Sequence, residues 1–593
     1  MIRTTRTPLN LFRRRKLPSG PSRKSHATKP IVLDASDPED SDAAESIPRK
    51  AVTGIKPQTI GSTGSSVTKR KEQEPIPSVP SGPLGSLADR AQMEADRLAR
   101  RKRMLQDEEM AGDSKRQRIS GTTVSSTPKT PLASRMFYDG VFFPTATLHA
   151  NPRADGREAI RFEDIVGPAD NSIQLAILSS FGFSPEWLAP HFDSSVPLII
   201  VAGTGREEDG PSLMTDFFQE WVQTCPRLGK GGCMHMKYML LFYKTGRLRV
   251  VISTANLIPL DWNHLENHVF IQDISLNGSS GVIGNIPFAE NAKLSSSKAK
   301  PEESFVMVLE SVLKATNVGP ALEKLKQRKS ELPLNSIADL SKMWDWRNVR
   351  VELVTSLAGN WEGWKQVRAT GHPRLMRAIE NLGLATNATQ NLVVECQGSS
   401  IGTYTTQWFN QFYLSASGHS SALKAHMDLS EGRRKKLEYP LGIKVVFPSL
   451  ETVKRTSEHG ASSLFCTRKK WEVKNFPRAA FHDSKSQAGR VLMHTKMIIG
   501  SFTPKRDVKP ESSNAAGWMY VGSHNFTSPA WGNLSGSVSA PVLNVNNFEL
   551  GVVVPLETAG DVNKASAWER PPRKYTAADL PWLKDENATD FGM

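Results

Sequence analysis

The chain has 593 residues, 38% of them hydrophobic and 13 of them tryptophan, which is enough to bury a sizeable core. Its net charge of +15 lies mostly in residues 1–135, which hold 26 Lys and Arg against 15 Asp and Glu and one aromatic residue, Phe12. The start lacks the apolar core of a signal peptide, no run of 18 apolar residues occurs, and the four cysteines show no paired spacing. These features argue against a secreted disulfide scaffold, a zinc framework and a membrane span, and they indicate a reducing compartment.

Residues 1–135 are too polar to bury the apolar surface that would offset the entropy of ordering them, so we predict a disordered tail. Its basic clusters are "FRRRK" at 12–16, "RLARRKR" at 97–103 and "KRQR" at 115–118. They indicate nuclear import or contact with nucleic acid, although a solvated charge run explains them about equally well. An acidic stretch at 34–42 is typical of a phosphorylation or partner segment.

The folded part is predicted to begin at residue 136 and to change domain near Arg347, which gives domains at 136–346 and 347–593. Helices are predicted at 372–385 and 405–416. Strands are predicted at the apolar runs "VPLIIVAG" (196–203), "VRVELVTSLAG" (349–359), "NLVVECQGSSIG" (391–402), "GIKVVFPS" (442–449) and "FELGVVVP" (548–555). This alternation of helices and strands predicts an α/β fold of two sandwich domains.

A strand is predicted at 234–243, "MHMKYMLLFY", which is apolar except for His235 and Lys237. The "KTGR" at 244–247 predicts a tight turn, and "LRVVIST" at 248–254 predicts the return strand. Side chains two positions apart on a strand face the same side, so the imidazole and the amine are expected to project together.

The pairing of this hairpin follows from its turn. If the middle two residues of "KTGR" form the turn, His235 lies opposite Asn256 and Lys237 lies opposite Thr254. Three polar groups would then meet at one end of an otherwise apolar hairpin.

A second segment repeats this arrangement. The sequence "MHTKM" carries His494 and Lys496, and "GSHNF" carries Ser523 and Asn525, with a polar stretch at 503–516 as the loop between the strands. The matching register places His494 opposite Asn525 and Lys496 opposite Ser523. These are the only two His-x-Lys sequences in the chain, so we predict two similar domains whose hairpins meet at one site.

Two histidines, two lysines and two asparagines would form a cationic pocket rich in hydrogen-bond donors. Such a pocket suits a phosphate group whose charge grows in a transition state. Because no cluster of carboxylates accompanies the motifs, neither a Mg²⁺ or Ca²⁺ site nor any other cofactor is predicted. Two histidines also permit a division of work, in which one attacks phosphorus and the other transfers protons.

At these residues the chain resembles the tyrosyl-DNA phosphodiesterases of the phospholipase D superfamily. The usual phospholipase motif has an Asp five positions after the Lys, where this chain has Phe242 and Ser501, and that difference is typical of the tyrosyl-DNA branch. Further stretches of the branch pattern are "VVISTANLIPLDW" (250–262), "SSIG" (399–402), "SHNFTSPAWG" (523–532) and "NNFELGVVV" (546–554). The resemblance covers roughly 136–593 and implies two similar phospholipase D-like α/β sandwich domains packed about a pseudo-twofold axis.

The resemblance also implies roles for the site residues. His235 would attack phosphorus and form a covalent phosphohistidine, and His494 would protonate the leaving tyrosine and then activate water. Glu549, in "FELG", matches the family carboxylate that orients the nucleophile. The non-bridging phosphate oxygens would be held by the remaining polar residues of the two motifs, Lys237, Lys496, Asn256 and Asn525.

The match departs from the family at two positions. Asn267 stands where the family often has a Gln that supports the second histidine, and Gln272 or His268 could take that role instead. Gly231 stands where an aromatic residue can stack on a DNA base, a contact worth about 1–3 kcal/mol. The family positions near DNA are matched by Ser399, Ser400, Gly232 and Thr527.

The activity implied is metal-independent release of a tyrosine or topoisomerase-derived peptide from the 3′ end of single- or double-stranded DNA, which leaves a 3′-phosphate. The resemblance further implies a nuclear monomer with no membrane partner. Two alternatives stay open: a related nuclease or lipid hydrolase that uses the same motifs, and an inactive DNA-end binding module. The presence of both histidines, both lysines and both asparagines argues against the inactive module.

Overall fold

A computed structural model describes residues 131–167, 172–203, 213–218, 220–229, 231–278, 300–329, 331–456, 460–506 and 515–587. The predicted disordered tail, with its basic clusters, lies outside the described residues except for 131–135. These five residues belong to the folded part, because Leu132–Ser134 forms a 3₁₀ turn and Arg135 pairs with Glu158 at 2.8 Å. The domain boundary at 136 stays a prediction.

Strands in the first part of the chain form where β-branched, leucine and aromatic residues cluster between turns. They are β1 (Val141–Pro144), β2 (Ile173–Ser179), β3 (Leu198–Val201), β4 (Leu213–Phe218), β5 (Trp221–Cys225), β6 (Tyr238–Tyr243), β7 (Leu248–Ser253), β8 (Leu265–Glu266) and β9 (His268–Ile274). Within the described residues, eight of them form one sheet in the order β1-β9-β7-β6-β2-β3-β5-β4. We call residues 131–343 of the described chain the first lobe.

The second lobe, residues 352–587, has its own sheet. Its strands are β10 (Glu352–Ser356), β11 (Gly359–Glu362), β12 (Gln390–Gln397), β13 (Ile443–Val446), β14 (Phe481–His482), β15 (Leu492–Met493), β16 (Met497–Pro504), β17 (Gly517–Gly522), β18 (Asn533–Gly536), β19 (Pro541–Val545) and β20 (Glu549–Leu556). Across the described ranges, seven strands form a sheet in the order β10-β20-β17-β16-β12-β13-β14, and β11-β19-β18 form a small separate sheet.

The two large sheets repeat one topology, as the paired motifs predict. In the first lobe β2, β3 and β5 run parallel, and β6, β7, β9 and β1 follow as antiparallel neighbours. In the second lobe β12, β13 and β14 run parallel, and β16, β17, β20 and β10 follow in the same way. The strands β7 and β9 contact β17 and β20, so equivalent strands of the two sheets face each other. The α/β fold with two similar lobes is confirmed.

Helices occupy most of the connections between strands. The α-helices of the first lobe are Phe162–Val166, Pro185–Leu188, Pro259–Asn263, Phe305–Ala315, Val318–Lys326 and Asp339–Met343. Those of the second lobe are Gly363–Val367, Gly371–Asn381, Thr406–Ala416, Ser420–Asp428, Glu431–Lys435, Leu450–Arg455, Arg468–Trp471, Ser528–Trp531, Ala559–Ala565 and Lys584–Asn587. Short 3₁₀ helices lie at Ala189–His191, Pro301–Glu303, Ala461–Ser463 and Arg478–Ala480. Both helices predicted in the second lobe are present, although the first of them ends four residues early, at Asn381.

Among the described residues, no single helix has the length and apolar composition needed to cross a membrane. The consecutive helices Phe305–Ala315 and Val318–Lys326 reach that length together, but they bend by 77° at their junction. The four cysteines are buried thiols.

The first motif hairpin pairs one residue away from the predicted register. The Tyr243 N–H donates to the carbonyl oxygen of Arg247 at 2.9 Å, so the loop has three residues and ends on Gly246 at φ 82°. A three-residue loop that closes on a left-handed residue is a common hairpin connection. As a result Lys237 lies opposite Ser253, whose N–H donates to the Lys237 carbonyl at 2.9 Å. The predicted two-residue turn, and with it the predicted partners of both motif residues, are wrong.

The second hairpin shows the same one-residue difference. The Gly522 N–H donates to the Lys496 carbonyl at 3.3 Å, so Lys496 lies opposite Gly522 rather than Ser523. Part of the loop between β16 and β17 lies outside the described residues. A long loop does not set the register of its strands, so the sequence alone could not decide this pairing.

Candidate active site

The first motif pairs with the second lobe instead of continuing its own hairpin. Its residues precede β6, and Met234 forms an isolated parallel bridge with Phe548. The His235 N–H donates to the Phe548 carbonyl at 2.9 Å, and the Phe548 N–H donates to the Cys233 carbonyl at 2.9 Å. The backbone of the predicted nucleophile is thus held by the opposite lobe.

The second motif pairs with the first lobe in the equivalent way. Strand β15, immediately before His494, runs parallel to β8. The His494 N–H donates to the Glu266 carbonyl at 2.9 Å. Each histidine is therefore placed by a strand of the other lobe, and the two motifs cross between lobes to reach one site.

Glu549 contacts the first histidine as the resemblance implies. Its Oε2 lies 2.8 Å from Nδ1 of His235, and both side chains are buried. The Ser523 hydroxyl donates to the same oxygen, and Asn547 Nδ2 donates to Oε1 at 3.2 Å. This network fixes the carboxylate and directs Nε2 of His235 away from it.

Asp261, a residue that the sequence analysis did not single out, contacts the second histidine. It lies in the helix Pro259–Asn263, and its Oδ2 is 3.1 Å from Nδ1 of His494. The same oxygen accepts the backbone N–H of Asn256 at 2.5 Å. The carboxylate therefore connects a phosphate-binding candidate of the first motif to the histidine of the second.

The predicted candidates for this supporting role have other partners. The Asn267 amide accepts from the Thr254 hydroxyl at 2.7 Å and donates to the Asp261 carbonyl at 2.8 Å. The side chain of Gln272 donates to two backbone carbonyls, and His268 Nδ1 lies 3.1 Å from the hydroxyl of Thr495. The structure places Asp261, and none of these three side chains, against His494.

Each lysine of the two motifs folds back on its own histidine. Lys237 Nζ donates to the His235 carbonyl at 2.9 Å, and Lys496 Nζ donates to the His494 carbonyl at 2.7 Å. Burial lowers the pKa of His494, Asp261 opposes that effect, and the charges of Lys496 and Lys237 add to it. Because Glu549 of the second lobe contacts His235 and Asp261 of the first lobe contacts His494, the two motifs face a common space.

The second-motif asparagine is oriented by the two predicted serines. The backbone N–H groups of Ser399 and Ser400 both donate to Oδ1 of Asn525 at 3.1 Å, which leaves its Nδ2 to donate elsewhere. In the first lobe the Ser180 hydroxyl lies 3.5 Å from Oδ1 of Asn256. Ser180 follows β2 as Ser399 and Ser400 follow β12, so the topological repeat extends to the partners of the asparagines.

Two of the predicted DNA contacts have structural explanations. A Cβ at Gly232 would lie 2.3 Å from the Asn546 carbonyl, so a glycine is needed where this backbone crosses to the other lobe. Thr527 is fully buried and precedes the helix Ser528–Trp531. As DNA contacts both residues remain predictions. The ring of Phe181 lies beside the first histidine, with its centroid 5.5 Å from that of His235.

No group of three or more His, Cys, Asp or Glu side chains within the described ranges is arranged to hold a metal ion. What the site offers is two buried imidazole–carboxylate pairs, two ammonium groups and two oriented amides. Such a set can bind an oxyanion and supply both a nucleophile and a proton donor.

Comparison with known proteins shows which family the chain resembles. A model of the tyrosyl-DNA phosphodiesterase family matches residues 142–587, more than half of the chain. Tyrosyl-DNA phosphodiesterase 1 of Arabidopsis thaliana is 24% identical over 434 residues, which cover 71% of this chain and 63% of the relative. The probable tyrosyl-DNA phosphodiesterase of Caenorhabditis elegans is 23% identical over 456 residues, which cover 73% of this chain and 86% of the relative. This chain therefore spans less than two thirds of the Arabidopsis relative.

A solved structure has the same fold. A mutant of the yeast tyrosyl-DNA phosphodiesterase 1 superposes with a TM-score of 0.50 at 16% identity, covering 75% of this chain and 99% of that chain. A second structure, of the yeast tyrosyl-DNA phosphodiesterase, superposes with a TM-score of 0.49 at 15% identity, covering 75% of this chain and 100% of the other.

Proposed function

This chain belongs to the tyrosyl-DNA phosphodiesterase family, and on that premise we propose that it hydrolyses the bond between a tyrosine and the 3′ end of DNA. The observation that carries the proposal is the crossed arrangement of the two motifs. Each lobe supplies a histidine, a lysine and an asparagine to one site, and each imidazole is backed by a carboxylate of the opposite lobe. An inactive binding module would have no need of two such pairs.

In the first step Nε2 of His235 attacks phosphorus, and the bond from phosphorus to the tyrosine oxygen breaks. His494, in its protonated form, gives its proton to that oxygen, because a phenol with a pKa near 10 leaves more readily when protonated. The charge that grows on the phosphoryl oxygens is met by the four donors of the motifs, Lys237, Lys496, Asn256 and Asn525.

In the second step His494, now neutral, takes a proton from water. The water oxygen attacks phosphorus and the bond to Nε2 of His235 breaks, which restores the enzyme and leaves a 3′-phosphate on the DNA. Glu549 supports both steps, since a carboxylate on Nδ1 selects the tautomer whose Nε2 can attack.

The substrate and setting belong to the proposal. We infer single- or double-stranded DNA with a 3′ tyrosine or topoisomerase-derived peptide as the substrate, with Ser399 and Ser400 near its phosphates. Hydroxyl and backbone groups suit contacts to the phosphate backbone, which carry no sequence readout. Action in the nucleus as a monomer, without a cofactor or a membrane partner, fits the same proposal.

The proposal is tested by release of tyrosine from a 3′-phosphotyrosyl oligonucleotide in the presence of EDTA. Undiminished release, with little cleavage of plain DNA or phosphatidylcholine, is the expected result. Faster cleavage of plain DNA or of the lipid would favour the related nuclease or lipid hydrolase. Tight binding of the oligonucleotide without turnover would favour the DNA-end binding module.

A further inference from the structure

We propose that Asp261 is the positioning residue of the second histidine. Its carboxylate selects the tautomer of His494 that carries hydrogen on Nδ1, and it thereby presents Nε2 to the leaving tyrosine oxygen. The inference deepens the proposed function and rests on it, since it assigns the group that makes His494 a proton donor. Asp261 itself touches neither phosphorus nor the leaving group in this scheme.

The pseudo-symmetry of the site shows that the second histidine lacks a carboxylate at the position equivalent to Glu549. Glu549 follows Phe548, whose carbonyl accepts the His235 N–H. The equivalent position in the other lobe is Asn267, which follows Glu266, whose carbonyl accepts the His494 N–H. A neutral, shorter amide therefore occupies the place that the carboxylate holds in the first pair.

The side-chain amide of Asn267 makes its hydrogen bonds to other groups of the first lobe. Both hydrogens of Asn267 Nδ2 are directed at backbone carbonyls, that of Asp261 at 2.8 Å and that of Leu265 at 3.4 Å. Its Oδ1 accepts the Thr254 hydroxyl. Asn267 thus holds the segment that carries Asp261, and Asp261 makes the contact with His494.

The geometry of Asp261 suits this task. Its side chain is almost completely buried, and its backbone is fixed in a short helix whose end is held by the Asn267 amide. Oδ2 accepts the Asn256 N–H at 2.5 Å and lies 3.1 Å from Nδ1 of His494, an ion-pair contact that does not reach hydrogen-bond geometry. Any movement of the carboxylate would disturb the backbone of Asn256, whose side chain is a phosphate-binding candidate, and the proton donor together.

The charges around His494 leave Asp261 as its anionic neighbour. The positive charges of Lys496, in the same segment, and of Lys237, in the first motif, both lower the pKa of His494. Glu266, on the strand beneath, is engaged by Arg153 at 2.8 Å and by the Ser486 hydroxyl. His268 reaches the neighbouring Thr495 and not the imidazole of His494. Without Asp261, a buried imidazolium beside two ammonium groups would lack a counter-charge.

The leaving group provides the test. Tyrosine needs a proton to depart, whereas p-nitrophenol is a far more acidic phenol and departs without one. In an oligonucleotide with a 3′ phosphotyrosine, Asp261→Asn is expected to slow single-turnover release about 10²-fold, the usual size of one positioned proton transfer. The same variant should release p-nitrophenol from the matching 3′ ester at nearly the wild-type rate. In Asp261→Asn the pH above which the rate of tyrosine release falls should also be lower, because the carboxylate that raises the pKa of His494 is lost.

The control is Asp139→Asn, which removes an exposed carboxylate of the same lobe and should change neither rate. Equal loss on both esters in Asp261→Asn would overturn the proposal, since it would mean a structural role. A leaving-group-dependent loss in Asn267→Ala that is absent in Asp261→Asn would also overturn it.

A measurement on the wild-type protein covers the case in which the variant fails to fold. In ¹⁵N-histidine-labelled protein, with the His494 signals identified from His494→Gln, neutral His494 should carry its hydrogen on Nδ1. Hydrogen on Nε2 would contradict the proposal. This readout needs no substrate, so wild-type protein that released neither leaving group would refute the proposed function separately.

Discussion

The two histidines of the site differ in how their carboxylates are provided. Glu549 is the first residue of β20, and its charge is moderated by the neighbouring Ser523 and Asn547. Burial raises the pKa of Glu549, and the charges of His524 and Lys237, together with the Ser523 and Asn547 hydrogen bonds, only partly oppose that effect. Burial would also raise the pKa of Asp261, but the charges of His494 and Lys496 and the Asn256 N–H lower it overall.

This difference matches the two tasks proposed for the imidazoles. A nucleophilic imidazole must be neutral when it attacks, so a carboxylate partner with a raised pKa is sufficient. A proton donor must be cationic when the substrate arrives, so a firmly ionised partner is useful. The two lobes share one topology. They differ in the side chains that contact the histidines, which are Glu549 at His235 and Asp261 at His494.

Removing either imidazole should give the largest effects, and the effects should differ in kind. His235→Ala should lower turnover by about 10⁴-fold or more and abolish any covalent DNA adduct, because no nucleophile remains. His494→Asn should slow both steps with tyrosine as the leaving group, but with a 3′ p-nitrophenyl ester, which needs no proton to depart, it should let the adduct accumulate, because water is no longer activated. Denaturing gels with end-labelled DNA separate the two cases, and an adduct that persists in His235→Ala would refute the assignment.

Neutralising the first carboxylate should have a smaller effect than losing the nucleophile. In Glu549→Gln the tautomer of His235 is no longer selected by an anion, and we expect kcat to fall by about 10²-fold or more. Glu557→Gln, an exposed change just beyond the same strand, serves as the control. A fully active Glu549→Gln would mean that the first imidazole needs no charged partner.

The ion pair beneath the second motif should matter more for stability than one at the surface. Glu266 and Arg153 are both buried and lie 2.8 Å apart. Removing one partner of a buried pair costs about 3–5 kcal/mol, so Glu266→Gln should lower the free energy of unfolding by roughly that amount.

The matched surface pair is Arg135 and Glu158, at 2.8 Å and partly exposed. Glu158→Gln should cost at most about 1 kcal/mol. Urea unfolding of the two variants makes the comparison, and equal losses would contradict it.

Buried histidines away from the site should make stability depend on pH. Burial lowers the pKa of His372 to about 3, whereas the unfolded value is near 6.5. The folded state then binds fewer protons, so the stability present above pH 6.5 is lost as the pH falls toward 3, by about 1.4 kcal/mol per pH unit. Urea unfolding at several pH values should show a shallower slope for His372→Gln, and identical slopes would count against this explanation.

The sequence was sufficient to predict the repeat, because each lobe carries the same short motif and the same strand order. The family resemblance, carried by the "FELG" stretch, singled out Glu549. The register could not be predicted, because a three-residue loop that ends on Gly246 and a two-residue turn fit the same letters. Asp261 could not be found from spacing, since its partner lies more than two hundred residues away in the other lobe.

The pairing of each motif with the opposite lobe could not be predicted from the local sequence pattern either. A strand of two residues such as β8 or β15 has no periodicity to detect. Its pairing depends on how the two sheets face each other, which is a long-range property of the fold.

The most direct test of this account is to locate the covalent intermediate. His494→Asn would be reacted with DNA that carries a 3′ p-nitrophenyl phosphate ester, quenched, digested with protease and nuclease, and mapped by tandem mass spectrometry. We expect a single nucleotide-bearing phosphoryl group on His235. A phosphoryl group on any other side chain, or p-nitrophenol release with no adduct at any time point, would contradict the assignment of His235 as the nucleophile.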